Sequence, residues 1–253
     1  MIEICALASG SNGNCYYIGN QHDAILIDAG ISARLTLTRM ASRGLAPEKL
    51  KAIFITHEHF DHARGARVLS KKLGIAVYYT RPTWNAIPSS DRPLLSQFFE
   101  PGDAISSGSF TVHAILKNHD AAQPCSFRVE HNGRQVGVFT DIGEPCDKIK
   151  ASLQQCHAVF LETNYDEKML WEGSYPFPLK KRVASEVGHL SNMQALELVQ
   201  QHAAPYLECI FLSHLSKENN TPEKALETFT PLQQRYRIKL TSRSEAGEVY
   251  LLK

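Results

Sequence analysis

The sequence predicts a mixed α/β (α+β) architecture, β-sheets with helices on their outer faces, and three observations carry that prediction. Short apolar runs rich in β-branched residues recur along the whole chain; helical patterns fall between some of them; and a hairpin signal, Asn132-Gly133, stands beside apparent crossovers. In order, strands are expected at Ile2–Leu7, Tyr16–Gly19, Ala24–Ile27, Ala52–Thr56, Ala76–Tyr79 and Phe110–Leu116, then at Ser126–Glu130, Gln135–Thr140, Ala158–Glu162, Cys209–Ser213 and Gly247–Leu251. Helices are expected at Ser32–Ala41, ending near Gly44, and at Arg64–Leu73, closed by Gly74. A third opens at Ser191-Asn192 and runs to about His202; a fourth opens at Thr221-Pro222-Glu223-Lys224, with a cap residue, an N-terminal proline and an early acid. No repeat, low-complexity tract or linker interrupts the pattern, so residues 1–253 are expected to form one domain.

Composition narrows the function classes. With 43% hydrophobic and 21% charged residues, the chain has enough apolar surface to offset chain entropy, which excludes a disordered protein. No run approaches the roughly 20 apolar residues a membrane-spanning helix needs. Met1-Ile2-Glu3 lacks a basic leader region and the first apolar stretch breaks at Ser9-Gly10-Ser11, so the cytoplasm is the expected location. Six cysteines without a C-x-x-C pair argue against a cysteine zinc knuckle and fit free thiols in a reducing compartment. A net charge of +1 excludes a strong global field for nucleic acid but not a local basic patch.

The strongest local signal is Thr56-His57-Glu58-His59-Phe60-Asp61-His62, which follows an apolar strand and precedes an amphipathic helix. Packed imidazoles repel one another when charged unless something neutralises them, and three histidines with a carboxylate suit borderline divalent metals. These ligands are too few for two metals, so further ones should come from other strand ends. Asp28, His119-Asp120, Asp141, His189 and His214 all stand just beyond apolar runs or before a helix, where distant segments converge. His113 lies inside an alternating strand and reads as structural beside His119; His214 directly ends a strand and is preferred to His189 as the last ligand.

His57-x-His59-x-Asp61-His62, with Asp28, His119, Asp141 and His214 in that order, resembles the metallo-β-lactamase-fold hydrolases over nearly the whole chain. Other stretches resemble the YycJ/WalJ-like branch of that family: Leu7-Ala8-Ser9-Gly10-Ser11-Asn12-Gly13-Asn14, Leu161-Glu162-Thr163-Asn164-Tyr165-Asp166, Gly188-His189-Leu190-Ser191-Asn192 and Ser213-His214-Leu215-Ser216-Lys217-Glu218-Asn219-Asn220. The resemblance implies a four-layer αββα sandwich of two mixed sheets with a two-metal site, zinc, manganese or iron, on one edge. By position, it implies His57, His59 and His119 around the first ion, Asp61, His62 and His214 around the second, Asp141 between them, and Asp28 supporting the histidine loop from behind.

Two ions sharing a water bring its pKa toward neutrality, so no serine or cysteine nucleophile is required and the cysteines read as small buried side chains. The nuclease branches of the fold imply His189 as proton donor to the leaving group, oriented by Glu162; the alternative is a packing residue before the helix. Lys180-Lys181-Arg182, shortly before His189, are expected to contact phosphates. Arg34, Arg39 and Arg43 share a helix face that reads as solvated, and Ser9-Gly10-Ser11-Asn12-Gly13-Asn14 reads as a phosphate loop or a plain strand-connecting turn. Trp84, Phe98 and Phe99 could stack bases but are more often core. The expected function is a metal-dependent phosphodiesterase or nuclease; the resemblance implies DNA as substrate and 5′-to-3′ exonuclease activity, with nucleic acid as partner, no membrane and no obligate protein partner. The alternative is a small-molecule hydrolase of a cyclic phosphodiester, thioester or lactam, since one fold hosts many chemistries.

Overall fold

The computed structural model describes residues 1–253. Six strands build most of the first sheet: β1 (Ile2–Ala8), β2 (Cys15–Gly19), β3 (Ala24–Ile27), β4 (Leu50–Phe54), β5 (Ala76–Tyr79) and β6 (Ser96–Phe98). The second holds β7 (Ala104–Ser107), β8 (Phe110–Leu116), β9 (Cys125–His131), β10 (Arg134–Phe139), β11 (Ala158–Glu162), β12 (Cys209–Ser213) and β13 (Arg237–Leu240). β14 (Tyr250–Leu252) returns to the first sheet beside β1, so each sheet has seven strands. In both, neighbouring strands are antiparallel over one half of the sheet and parallel over the other.

Helices cover the outer faces: α1 (Ala33–Ser42), α2 (Phe60–Ala63), α3 (Ala66–Leu73) and α4 (Arg81–Ala86) belong to the first half of the chain. The second half supplies α5 (Asp147–Leu153), α6 (Glu167–Glu172), α7 (Phe177–Val183), α8 (Asn192–His202) and α9 (Pro222–Thr228). Three apolar layers result, of 24, 23 and 22 buried residues, and their similar size marks a four-layer sandwich rather than one dominant core. The strands explain the arrangement. On β1, Ile2, Ile4 and Ala6 face the layer between the sheets, while Cys5 and Leu7 face the layer under the helices. Both faces are buried, so such strands read as nearly continuous apolar runs. None of the helices is long and apolar enough to cross a membrane.

Local chemistry sets the punctuation. Asn132 (φ 50°) and Gly133 (φ 75°) form the two-residue turn between β9 and β10, the turn their sequence demands. Ser191 accepts from the Gln194 amide while the Gln194 side chain accepts from the Ser191 amide, closing the start of α8. Thr80, Asp166 and Thr221 cap α4, α6 and α9 with the side-chain bond alone.

Several sequence expectations are corrected. β6, β7 and β13 were not expected: they are three- or four-residue strands with half-exposed or exposed residues, too short and polar for a clear apolar pattern. α4, α5, α6 and α7 are six or seven residues each, too short for helical periodicity to show. The expected helix from Arg64 is split, α3 beginning at Ala66 after the short α2, and the last strand lies at Tyr250–Leu252 rather than Gly247–Leu251. Arg39 is not solvated: it is buried and donates to the carbonyls of Leu7, Arg243 and Ser244. Arg43, though exposed, donates to the Ala246 carbonyl, so the pair clamps the C-terminal segment; of the three only Arg39 is buried. Trp84, Phe98 and Phe99 are packed against or within the apolar layers, Phe98 beneath the Arg81 guanidinium.

The layer between the sheets carries much of the stability. Phe160 is fully buried, with ring centroids of Tyr16 and Phe211 at 4.7 and 4.6 Å. Phe160→Ala is expected to cost about 3–5 kcal/mol, read as a lower urea midpoint; a loss below about 1 kcal/mol would show that the two sheets do not depend on this contact.

Candidate metal and catalytic site

The parallel pairing of β3 with β4 and of β10, β11 and β12 with one another brings several strand ends to one edge of the sandwich. β8 joins them there because two antiparallel steps separate it from β10. Asp28 follows β3, the histidine loop follows β4, His119 lies past β8, Asp141 past β10, and His214 directly follows β12; Glu162 is the last residue of β11. Asp28, Asp141 and His214 all leave their strands with positive φ, 62°, 53° and 57°. Asp and His tolerate this left-handed turn better than most residues, yet each such residue still costs of order 1 kcal/mol or more, and the turn aims the side chain across the edge instead of along the strand.

The loops at this edge are laced backbone to backbone. The Asn14 amide donates to the Asp61 carbonyl and the Gly30 amide to the Asn14 carbonyl, both at 2.8 Å. A Cβ on Gly30 would fall 1.5 Å from the Asp61 carbonyl oxygen, so only glycine lets these segments approach. On the other side, the Gly143 amide donates to Asn118, Asp120 to Val187 and Glu144 to Glu186, fixing the loops of His119, Asp141 and His189 against one another.

Two sets of ligand atoms converge. His57, His59 and His119 form one compact group; His57 Nε2 and His59 Nδ1 are 3.0 Å apart. Asp61, His62 and His214 form the second, and Asp141 lies between them, 3.3 Å from His62, 3.5 Å from His214 and 3.9 Å from His119. The remaining ring nitrogens are held from behind. His62 Nδ1 is 2.7 Å from Asp28 Oδ2, while Asp28 Oδ1 accepts from the Thr56 amide. Thr56 Oγ1 also lies 2.9 Å from His57 Nδ1, and His119 Nδ1 is 3.1 Å from the Gly188 carbonyl. Glu162 Oε1 meets the Nδ1 atoms of both His214 and His189, at 2.9 and 2.8 Å, and its Oε2 accepts from the Ile142 and Leu190 amides. Such partners fix ring orientation and leave Nε2 of His119 and His214 directed forward.

The residues fit a divalent ion. Nε2 of His119, Nε2 of His214 and Oδ2 of Asp141 are buried without a hydrogen-bond partner, an arrangement that costs free energy unless a cation satisfies them. Burial pushes His57 well below the ordinary imidazole range and takes His119 down to about 3, so both present neutral nitrogen. Burial opposes protonation of His214 as well, but Asp141, Asp61 and Glu162 win and raise it to about 10. For His62, burial is likewise overcome by Asp141, Asp28 and Asp61, which raise it well above its usual value. Burial would raise Glu162, but His189 and His214 hold it down at about 2.

The expected metal-site residues meet at this edge together with Asp28, Glu162 and His189, whereas the expected phosphate contacts reach it only in part. His214, not His189, joins Asp61 and His62; His189 is half-buried and turns Nδ1 to Glu162. His113 is on β8, 3.1 Å from Glu130, away from the cluster. Of Lys180, Lys181 and Arg182, only Arg182 lines the cleft, paired with Asp120 at 2.9 Å. Lys180 is bound to the Trp171 carbonyl and Lys181 lies over the Phe177 ring. Several residues were not expected. Asn14 Nδ2 lies 3.0 Å from His62 Nε2; Ser9 Oγ accepts from the His214 amide; and buried Lys117 donates to the Thr140 carbonyl, next to Asp141. The Ser9–Asn14 stretch is therefore a supporting loop at the metal edge, and its polar residues among glycines were the available signal. The whole opens as a cleft of about 220 Å³, walled opposite the ligands by Leu179, Arg182, Val183 and Val187.

A metal-ligand cleft on the edge of a four-layer αββα sandwich defines a class, and the chain belongs to it: the metallo-beta-lactamase superfamily, matched over residues 8–169. More particularly, it stands with the YycJ/WalJ branch. It is 34% identical over 227 residues to exodeoxyribonuclease YycJ of Bacillus anthracis, covering 88% of this chain and 86% of that protein. It is 34% identical over 224 residues to exodeoxyribonuclease WalJ of Streptococcus pneumoniae, covering 87% and 83%. The structure of the metallo-beta-lactamase fold protein YhfI from Bacillus subtilis shares the fold, with a TM-score of 0.74 at 14% identity over 98% of this chain and 100% of that one. Membership implies divalent metal ions at this cleft.

Because Glu162 holds His214 from behind, Glu162→Gln is expected to weaken metal affinity about 10–100-fold, measured by chelator competition. Unchanged affinity would remove Glu162 from the support of the ligands.

Proposed function

We propose that the chain is a metal-dependent phosphodiesterase acting on DNA, a 5′-to-3′ exonuclease, working as one domain in the cytoplasm, where its six free cysteines would stay reduced. The observation that carries this reading is the convergence of partnerless, buried Nε2 and carboxylate atoms from His119, His214 and Asp141 on the histidine loop. The two relatives named exodeoxyribonuclease, at 34% identity over most of the chain, support DNA as substrate.

In this reading His57, His59 and His119 hold one divalent ion, Asp61, His62 and His214 a second, and Asp141 faces both; zinc, manganese and iron all suit the donor set. Divalent ions held there would make water a nucleophile at neutral pH and offset negative charge developing on the phosphoryl group. The chain's own residues do the rest. Arg182, the cation of the cleft wall, positions a phosphate oxygen by charge and hydrogen bonding. As the P–O bond breaks, the departing oxygen takes a proton from Nε2 of His189. Glu162 holds the opposite nitrogen, fixing the tautomer and stabilising the charged ring before transfer. Asp28 and Thr56 keep the histidine loop from reorienting as charge moves.

The test is a metal-reconstituted screen of end-labelled DNA and RNA, bis-p-nitrophenyl phosphate and a β-lactam, with Asp61→Ala as control. Release of mononucleotides from DNA, lost in the control and suppressed by added salt, is expected; cleavage of only the lactam would overturn the reading. His189→Ala is expected to lower kcat about 10²–10⁴-fold with metal content intact by elemental analysis; loss of metal would make His189 a ligand instead.

A further inference from the structure

Beside the cleft runs a second groove, lined by Phe60, Val68, Arg34, Arg64, Gly65 and Asp91 among others. Phe60 is 70% exposed and Val68 55%, although both are large apolar side chains. Phe60 stands between His59 and Asp61, which line the cleft, so the two openings share a rim. Arg64 lies 5.2 Å from the Phe60 ring and donates to the carbonyl of Asn12, next to the cleft residue Ser11. Arg34, exposed near the start of α1, adds a second positive charge, so two guanidinium groups face one carboxylate.

We propose that this groove holds the polynucleotide strand leading away from the scissile phosphate, with a base stacked on Phe60 and phosphates on Arg34 and Arg64. An exposed aromatic ring flanked by cations matches a chain of alternating π-faces and anions. A neutral peptide would leave both guanidinium groups unused. The stacking face of a base is free only where the duplex is open, so the groove selects a single-stranded segment next to the cleavage point. The inference rests on the nuclease reading and adds a strand preference to it.

The test uses full-length, metal-loaded protein and phosphorothioate probes that resist cleavage: a labelled dinucleotide, a single strand of about ten nucleotides, and a blunt duplex of that length. Fluorescence anisotropy should show Phe60→Ala weakening the single strand about tenfold, the dinucleotide losing much less, and Phe60→Trp restoring affinity. Arg34→Glu, outside the histidine loop, should weaken the single strand and lower the salt slope by about one. Single-strand affinity unchanged in both Phe60→Ala and Arg34→Glu, or duplex bound as tightly as single strand, would overturn the groove assignment while leaving the nuclease reading standing. Failure of the unaltered protein to bind any of the three probes would overturn both.

Discussion

Every ion-pair partner of Asp28, Asp61, Asp141 and Glu162 is an imidazole. Three of these carboxylates are almost wholly removed from water, and no arginine or lysine reaches any of the four; buried Lys117 gives its hydrogen bond to a carbonyl instead. Dry carboxylates are costly unless positive charge is held close. The edge of the sandwich therefore needs either protonated histidines or a cation, and the raised proton affinity of His62 and His214 expresses that need. The rest of the architecture can be understood as the means of keeping this cluster together.

That means is rigid and distributed. The candidate ligands come from four strand ends, after β4, β8, β10 and β12, and their supports Asp28 and Glu162 from two more, so no single segment could hold them. The left-handed exits at Asp28, Asp141 and His214 carry local strain that a loose loop would relax. They persist because the segments around them are bonded backbone to backbone, with Gly30 allowing an approach no other residue permits. Glu162 ties the two halves of the chemistry into one unit: a single oxygen serves both a candidate ligand, His214, and the candidate proton donor, His189. A change at Glu162 should therefore couple metal retention to proton transfer, not affect one alone.

Legibility followed physical locality. The Thr56–His62 motif was readable because its ligands are contiguous, and the central strands because both their faces are buried, which leaves long apolar runs. β6, β7 and β13 escaped notice because edge strands bury little, and α4 to α7 because two turns of helix leave too few residues to reveal a period. Asn14, Ser9, Thr56 and Lys117 could not be assigned because their roles arise from contacts across long stretches of chain: Ser9 and His214 are 205 positions apart. Arg39 is a further case: its polar character suggests solvent, while its carbonyl partners lie in two other segments, at Leu7 and at Arg243 and Ser244.

By itself the sequence determined the chemistry available, imidazoles and carboxylates at the ends of apolar strands, because residue type and strand pattern are local properties. Tertiary structure decided what the sequence left open: Asn14 and Ser9 beside the histidine loop and His214, Arg182 and not its lysine neighbours at the cleft, Phe60 and not Trp84 in water. Those choices depend on strand pairing and loop packing between residues far apart in the chain, and such distances appear in no stretch of sequence.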